Sequence, residues 1–171
     1  TVVGEGYSMN ITVKVKDYGT FSEAFNVTVY VNTTAMETKG ISLISGASAT
    51  LTFIWNTSGF AKGNYTLWAY AWPVQSETDI EDNTYVNGVV VVAMVGDITG
   101  FGVLPDGKVD IKDVSLVSKA FGSVLGEGGY YWHLKPCLGC PHSPNCDINN
   151  DGVIDIKDIA TVSKQFGKTD P

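Results

Sequence analysis

The sequence predicts two domains, an all-β domain over residues 1–94 followed by a small α-helical domain over residues 95–171. In the first part, short runs alternate between apolar and polar residues and are separated by turns, which is typical of half-buried strands. In the second part, one sequence unit occurs twice, and each copy continues into apolar residues at helical spacing. These two patterns decide the predicted fold class.

Five short runs in the first part predict β-strands. "SMNITVKVKD" and "FNVTVYVN" alternate strictly, and "LTFIWN", "NYTLWAYAW" and "VVVVAMV" supply three further runs. Turn signals separate them at "KDYGTFSE", "SGAS", "SGFAKG" and "SETDIEDN". Short strands at this spacing indicate an antiparallel β-sandwich of the immunoglobulin type.

The stretch "DINNDGVIDIKD", residues 147–158, has oxygen-bearing side chains at the spacing of a calcium loop. A calcium loop of this length supplies oxygens from positions 1, 3, 5, 7, 9 and 12, with a backbone carbonyl at 7 and glycine at 6. Gly152 stands at position 6, and the loop closes on aspartate where an EF-hand closes on glutamate. An Asx-rich surface turn that binds no ion is the alternative. The predicted ligands are Asp147, Asn149, Asp151, the Val153 carbonyl, Asp155 and Asp158.

The same unit occurs earlier in the chain. "DGKVDIKDVSLVSKAFG" at 106–122 matches "DGVIDIKDIATVSKQFG" at 151–167 with a constant offset of 45. Upstream, "DIT" at 97–99 mirrors "DIN" at 147–149 if "GFGVLP", residues 100–105, holds a five-residue bulge. A longer loop costs little closure entropy. A second site is therefore predicted from Asp97, Thr99, Asp106, the Lys108 carbonyl, Asp110 and Asp113.

Each predicted loop leads into a predicted helix. The apolar residues that define the helical spacing are Ile111, Val114, Val117 and Phe121 in the first copy and Ile156, Ile159, Val162 and Phe166 in the second. Gly122 and Gly167 stand where helices end.

Two calcium loops that each feed a short helix ending in Phe-Gly resemble a dockerin module, here over roughly residues 96–168. The resemblance implies two loop–helix units packed antiparallel, one calcium ion in each, and a cohesin domain as the partner. Many dockerins have small hydroxylated residues at loop positions 10 and 11, where both copies here have Ile-Lys. The resemblance therefore supports the two calcium sites more strongly than it supports a cohesin domain as the partner.

The first part resembles the CARDB-like adhesion domains of archaeal and bacterial surface proteins, through "VVGEGYSMNITVKVKDYG", "SGFAKGNYTLWAYAWPV" and "ETDIEDNTYVNG". Such domains commonly precede a dockerin-like module in archaeal surface proteins, which implies an extracellular or cell-surface location. They generally open with a strand before the stretch that begins this chain. An unpaired edge beside the Met9–Val15 strand is therefore expected, and an open edge invites strand addition from another copy and growth into a filament. The alternative is that the strand lies upstream in a longer precursor.

Potential N-glycosylation sites are concentrated in the first part. The chain has ten asparagines; the first five lie in N-x-Ser/Thr sequons and the last five do not. Chance enrichment of Asn and Thr in strands is the alternative. The sequence predicts N-glycans, carried by Asn10, Asn26, Asn32, Asn56 and Asn64.

The three cysteines, Cys137, Cys140 and Cys146, lie in "KPCLGCPHSPNC" together with His142. An extracellular location favours a disulfide between two of them. Three cysteines and a histidine also suit Zn²⁺. The sequence does not decide between a disulfide, a zinc site and unmodified thiols.

The composition excludes several functions. Net charge is −7, and without the eight loop aspartates the 18 acidic residues fall to ten against 11 basic ones, so the metal sites account for the charge. The sequence has no cluster of basic residues, so it does not predict nucleic-acid binding. The longest apolar run, residues 89–95, is too short for a membrane helix. Both histidines lie near the cysteines, so no Ser-His-Asp arrangement is predicted.

A non-enzymatic structural or adhesive unit of a calcium-stabilised, glycosylated surface assembly is the leading prediction. Its partners are copies of itself or other surface proteins. One alternative is an anchoring module for a cohesin-like receptor. The other is a carbohydrate-binding module, because Trp68, Tyr70 and Trp72 alternate onto the outer face of their strand. Packing of these aromatics against the dockerin-like module or a neighbouring subunit is the favoured interpretation of the same pattern.

Overall fold

A computed structural model describes residues 1–99, 105–123 and 146–170 of the chain. The chain forms two compact units, each assembled from separate segments. The first unit contains Thr1–Met9, Asn56–Asn64 and Val90–Pro171, and the second contains Asn10–Trp55 and Tyr65–Val89. The predicted domain boundary between residues 94 and 95 stays a prediction.

Seven strands and two helices form in the described residues. The strands are β1 (Val2–Gly4), β2 (Ser8–Lys16), β3 (Glu23–Val31), β4 (Thr34–Leu43), β5 (Ser48–Asn56), β6 (Gly63–Ala71) and β7 (Thr84–Ala93). The helices are α1 (Ile111–Ala120) and α2 (Ile156–Gln165). All five predicted strands are present, and the four predicted turns lie between strands.

The strands form two sheets, which agrees with the immunoglobulin-like sandwich that the sequence predicts. One sheet has the order β1-β7-β6-β3-β4, and the other contains β2 and β5. β3 pairs antiparallel with both β4 and β6, whereas β1 pairs parallel with β7. Among the described residues, β2 pairs with β5 alone, so its other edge carries no strand.

The core of the second unit follows the alternation in the sequence. Val27, Val29 and Val31 of β3 are buried, and Leu67 and Ala69 of β6 are buried beside them. Phe53 and Trp55 are the largest fully buried side chains and come from β5. Alternate residues of these strands therefore form the interior.

The core of the first unit is an apolar cluster built largely by the repeated units. Its buried members are Ile98, Val109, Leu116, Val117, Cys146, Ile148, Ile154 and Val162. Tyr7, Met94 and Val95 pack against this cluster, so residues from both ends of the strand region contribute to it. Thr57 adds polar contacts: its hydroxyl donates to the carbonyl oxygens of Gly4 and Tyr7 at 2.8 and 2.7 Å.

The ends of α1 and α2 agree with the prediction, but the predicted apolar faces are partly wrong. Each helix ends two residues before its glycine, with Phe121 and Phe166 as C-caps. Leu116, Val117 and Val162 are buried, whereas Ile111, Phe121, Ile156 and Phe166 are 67, 48, 65 and 56% exposed. In the described part of the chain, no helix has the length and apolar character needed to cross a membrane.

Candidate metal centre

The second repeated loop wraps its backbone around two of its carboxylates. Asp147 accepts hydrogen bonds from the amides of Asp151 and Gly152 at 3.1 and 2.9 Å. Asp158 accepts from the amides of Ile148 and Asp155, both at 2.8 Å. Gly152 has a φ of +88°, a backbone conformation that glycine adopts at no steric cost. The loop therefore makes its sharp turn at the predicted glycine.

The first repeated loop makes the same contacts. Asp97 accepts hydrogen bonds from the amides of Asp106 and Gly107 at 3.1 and 2.8 Å. Asp113 accepts from the amides of Ile98, Thr99 and Asp110, at 2.9, 2.9 and 2.8 Å. Asp97 and Asp147 thus occupy equivalent positions, as the realignment through a bulge predicts. Residues 100–104 of that bulge lie outside the described residues.

The helix starts share residues with the loops. Asp110 and Asp155 are the N-caps of α1 and α2, and each accepts a hydrogen bond from the amide of the lysine two residues later at 2.7 Å. Asp113 and Asp158 complete two capping boxes by accepting from the N-cap amides. Four predicted ligands therefore also hold the first turns of the helices.

The two repeated units exchange backbone hydrogen bonds reciprocally. The end of α1 bonds to the second loop, and the end of α2 bonds to the first. The four bonds run from Gly122 N to Ile154 O, Ile154 N to Ser123 O, Gly167 N to Val109 O and Val109 N to Lys168 O, at 2.8 to 3.0 Å. Val109 and Ile154 are equivalent in the repeat, so the arrangement has approximate two-fold symmetry. Each helix end holds the loop of the other unit in place.

Three carboxylates of these loops are buried with no cationic side chain of the described residues beside them. Asp97, Asp113 and Asp158 are 1, 1 and 0% exposed, and none forms an ion pair with a described lysine, histidine or N-terminus. Burial raises the pKa of Asp97 to about 6, although hydrogen bonds from Gly107 and Asp106 oppose the shift. Burial also raises the pKa of Asp147. Burial therefore disfavours the ionised forms of Asp97 and Asp147, and a cation close to their oxygens favours them.

Three of the less buried predicted ligands have lysine partners. Lys157 Nζ lies 3.1 Å from Asp151 and 3.5 Å from Asp155, and this lysine lowers the pKa of Asp151. Lys112 lies 3.8 Å from Asp110. These contacts are not apparent from the sequence. Among the described residues, lysine charges therefore lie beside Asp110, Asp151 and Asp155 and not beside the buried carboxylates.

The donor set fits calcium by chemistry, but a coordination shell is not assembled. Within the ranges that the structure describes, no group of three or more Asp, Glu, His or Cys side chains has the arrangement of a metal site. The carboxylate oxygens face backbone amides instead. The two oxygens of Asp97 each accept one amide and keep a second lone pair, whereas Asp113 Oδ1 already accepts from two amides and the Thr99 hydroxyl. Small turns of the exposed carboxylates toward the loop interior are therefore needed before an ion is enclosed.

Cys146 is the one cysteine in the described residues, and it is buried in the apolar cluster. Burial raises its pKa to about 12, and the charges of Asp158 and Asp147 add to the shift. The neutral thiol therefore packs as a small apolar group. Cys137, Cys140 and His142 lie outside the described residues, so both the disulfide and the zinc site remain predictions.

All five sequon asparagines are exposed. Asn56 accepts a hydrogen bond from the Ser58 amide at 2.8 Å, and Asn32 accepts from the Thr66 amide at 2.8 Å. Thr28, the hydroxyl residue of the Asn26 sequon, is 2% exposed because Trp72 and Thr38 cover it. Periodicity places Thr28 on the outer face correctly, but it does not reveal this cover.

The outer side of β3 and β6 carries four aromatic residues, Tyr30, Trp68, Tyr70 and Trp72, which we call the aromatic face. Tyr30 and Trp68 stack with ring centroids 4.0 Å apart at an interplanar angle of 8°. Tyr70 and Trp72 meet edge to face at 5.4 Å. The predicted outward direction of Trp68, Tyr70 and Trp72 agrees with burial of Leu67 and Ala69 between them.

The family model of CARDB matches residues 1–91. The chain belongs to the CARDB family. CARDB is a family of non-catalytic surface domains. No curated protein matches the chain.

Solved CARDB domains resemble the chain over about half its length. A Pyrococcus furiosus CARDB domain, described as a complex with di-metal ions, is 26% identical, with a TM-score of 0.46 over 54% of this chain and 84% of that one. A domain of a predicted cell-surface protein from Methanosarcina acetivorans is also 26% identical, with a TM-score of 0.44 over 53% and 82%.

A third similar structure contains a dockerin. It is a type II cohesin–X-dockerin complex from Acetivibrio cellulolyticus, 21% identical, with a TM-score of 0.33 over 85% of this chain and 83% of that one. A likeness at this level carries no argument. The dockerin-like module therefore rests on the residues of the repeat.

Proposed function

We propose that this CARDB chain is a non-enzymatic structural unit of a glycosylated assembly at the cell surface, in which two calcium ions hold the repeated loop–helix units together. The observation that carries the calcium sites is the burial of Asp97, Asp113 and Asp158 with no cationic side chain beside them among the described residues. Backbone amides satisfy much of their hydrogen-bonding capacity, but they do not neutralise the negative charge that each loop collects. Calcium supplies the missing charge and accepts the oxygen ligands that these loops provide.

The residues of each loop have distinct tasks in this proposal. Asp97 and Asp147 fix the turn through backbone amides, and Asp113 and Asp158 join the start of the loop to the start of its helix. Asp106, Asp110, Asp151 and Asp155 turn inward and complete the oxygen set, with Thr99, Asn149 and the carbonyls of Lys108 and Val153. Ion binding thereby orders loop and helix together.

Native mass spectrometry tests the sites directly. We expect the full chain to bind two calcium ions, and Asp113→Asn and Asp158→Asn to lose one each, because each variant removes a buried carboxylate charge from one loop. Asp82→Asn removes an exposed charge from the β6–β7 connection and is expected to keep both ions. A chain that binds no calcium at millimolar concentration refutes the calcium sites.

The sequons support the second part of the proposal, a covalent glycan coat. In N-glycosylation the amide Nδ2 of asparagine bonds to the anomeric carbon of an activated sugar phosphate, the phosphate carrier leaves with the bonding electrons, and the amide loses a proton. Mass spectrometry of the protein from its own source is expected to find hexose-bearing peptides at several of the five exposed asparagines. Bare asparagine at all five contradicts the coat.

A polymeric assembly follows from the open edge of β2. No strand of the described residues pairs with this edge, and backbone amides and carbonyls along such an edge can bond to a strand from another copy. Where the donated strand comes from a different surface of the neighbouring copy, such a contact propagates instead of closing as a dimer. Analytical ultracentrifugation that detects only monomers at every concentration rejects this assembly route.

Anchoring to a cohesin-like receptor is the second candidate. Ile111 and Ile156 occupy equivalent positions and are 67 and 65% exposed, and Phe121 and Phe166 are exposed at equivalent helix ends. Exposed apolar groups at symmetric positions suit a protein partner. Capture by cohesin domains that is lost in the Ile111→Asp, Ile156→Asp double variant favours anchoring over a purely structural role.

A further inference from the structure

The rings of the aromatic face are held in place before any ligand arrives. Trp68 Nε1 donates to the Asn32 carbonyl oxygen at 2.7 Å, and Trp72 Nε1 donates to Thr28 Oγ1 at 2.9 Å. The stacked pair and the edge-to-face pair restrain the same rings from the side. A ligand that packs on them therefore loses little side-chain entropy on binding.

One sequon asparagine lies directly beside this face. Val27 pairs with Ala71, and the Trp72 amide donates to the Asn26 carbonyl oxygen at 2.8 Å, so Asn26 and Trp72 are opposite each other on adjacent strands. Side chains in such positions have Cβ atoms about 4.5–5.5 Å apart. Asn26 is exposed, and Trp72 is 49% exposed.

On the side of β4, no side chain lies directly opposite Asn26. Its partner on β4 is Gly40, which has no side chain. A Cβ at that position would lie 3.2 Å from the Asn26 side-chain oxygen, so glycine leaves the amide unobstructed. A group attached to Asn26 consequently has free space on the side of β4, next to Gly40, and an aromatic side chain, Trp72, on the side of β6.

We propose that the first sugar of an N-linked glycan on Asn26 packs against the indole of Trp72 and covers that end of the aromatic face. This inference rests on the glycosylation proposed above. The C–H groups on one side of a sugar ring carry partial positive charge and meet the negative face of the indole. The attached sugar is favoured over a free polysaccharide because attachment at the neighbouring strand position makes the contact intramolecular.

The order of events follows from Thr28. Its hydroxyl belongs to the Asn26 sequon and is bonded to Thr38 and Trp72 in the folded sheet, at 2.8 and 2.9 Å. A glycosyltransferase cannot reach a hydroxyl that is buried in this way. Attachment at Asn26 therefore precedes the pairing of β3 with β6, and Trp72 closes over the sequon afterwards.

Oxidative footprinting of tryptophan tests the contact in glycosylated protein from its own source. Peptide mass spectrometry gives both the occupancy of each sequon and the oxidation rate of each tryptophan. We expect Asn26→Gln to raise the oxidation rate of Trp72 by roughly twofold to tenfold, the range for an aromatic contact of ordinary strength. Fully buried Trp55 serves as the internal reference. Asn10→Gln, which removes an exposed sequon on β2, is the matched control and is expected to leave the Trp72 rate unchanged.

Enzymatic removal of the glycans from the unsubstituted chain must reproduce the effect without a mutation. If Asn26 carries a glycan but Trp72 is oxidised at the same rate in the unsubstituted chain, in Asn26→Gln and after glycan removal, the inference is overturned. The proposed glycan coat is retained in that case. If Asn26 carries no glycan while other sequons do, the inference is also overturned and the glycan coat is retained. Bare asparagine at all five positions removes the coat and the inference together. Protection of Trp72 in Asn26→Gln by an added polysaccharide assigns the face to free carbohydrate and overturns the inference.

Discussion

Removal of calcium is expected to unfold the repeated loop–helix units while most of the β-structure stays folded. Asp97, Asp113 and Asp158 are buried in loops that carry four aspartates each, so the ion-free loops combine desolvation with mutual repulsion. An ion that binds only the native state stabilises it by about 4 kcal/mol when its concentration is a thousand times Kd. Two such ions are comparable with the whole stability of a small domain.

Thermal unfolding followed by circular dichroism measures this effect. In excess chelator, we expect the helical signal to disappear at or near room temperature and the β-sheet signal to persist to a separate transition. Asp158→Asn in saturating calcium is expected to behave like partial chelation, and Asp82→Asn is expected to match the unsubstituted chain. Identical melting curves with calcium and with excess EDTA contradict the prediction.

The strands that the sequence predicts are those with one buried side. β2, β3, β5 and β6 carry a clear alternation because alternate residues face the interior. β4 escapes prediction because, within the described ranges, it is an edge strand that pairs with β3 alone, and nearly all its residues are exposed or half-buried. β1 is three residues long, and alternation over so short a segment has no statistical weight.

The sequence predicts the ends of the helices better than their buried faces. The glycine after each Phe marks the end of α1 and α2. Ile111 and Ile156 match the apolar period but are the first residues after the N-caps, where the chain leaves the loop, and they are exposed. Periodicity specifies which residues share a face and cannot specify where the partner surface ends.

The duplication makes the loop residues predictable, because the second loop identifies Asp97 in the divergent first loop. The duplication does not reveal which residues of one repeated unit contact the other unit. The reciprocal hydrogen bonds of Val109 and Ile154 depend on how the two units pack, and the pairing of Lys157 with Asp151 and Asp155 depends on a side-chain rotamer. Neither leaves a local sequence pattern.

Gly96→Ala is expected to destabilise the first unit by about 2–4 kcal/mol, from backbone strain together with overpacking. Gly96 connects β7 to the first loop with a φ of +89°, which alanine rarely adopts. A Cβ there would also lie 3.3 Å from the Val162 Cα, in the backbone of α2. Backbone within a packed helix cannot yield as the tip of a flexible side chain can, so α2 must shift away from the cluster that buries Val162.

Gly122→Ala separates the two causes, and the comparison is made by chemical denaturation in saturating calcium. Gly122 has a similar φ of +84° in the same unit, but a Cβ there meets no atom within 4 Å among the described residues. Backbone strain alone is expected to lower its free energy of unfolding by about 1 kcal/mol. Because the φ angles match, any excess in Gly96→Ala measures the packing of the first loop against α2. Equal losses in the two variants mean that α2 does not approach Gly96 closely, which contradicts the close contact between Gly96 and Val162.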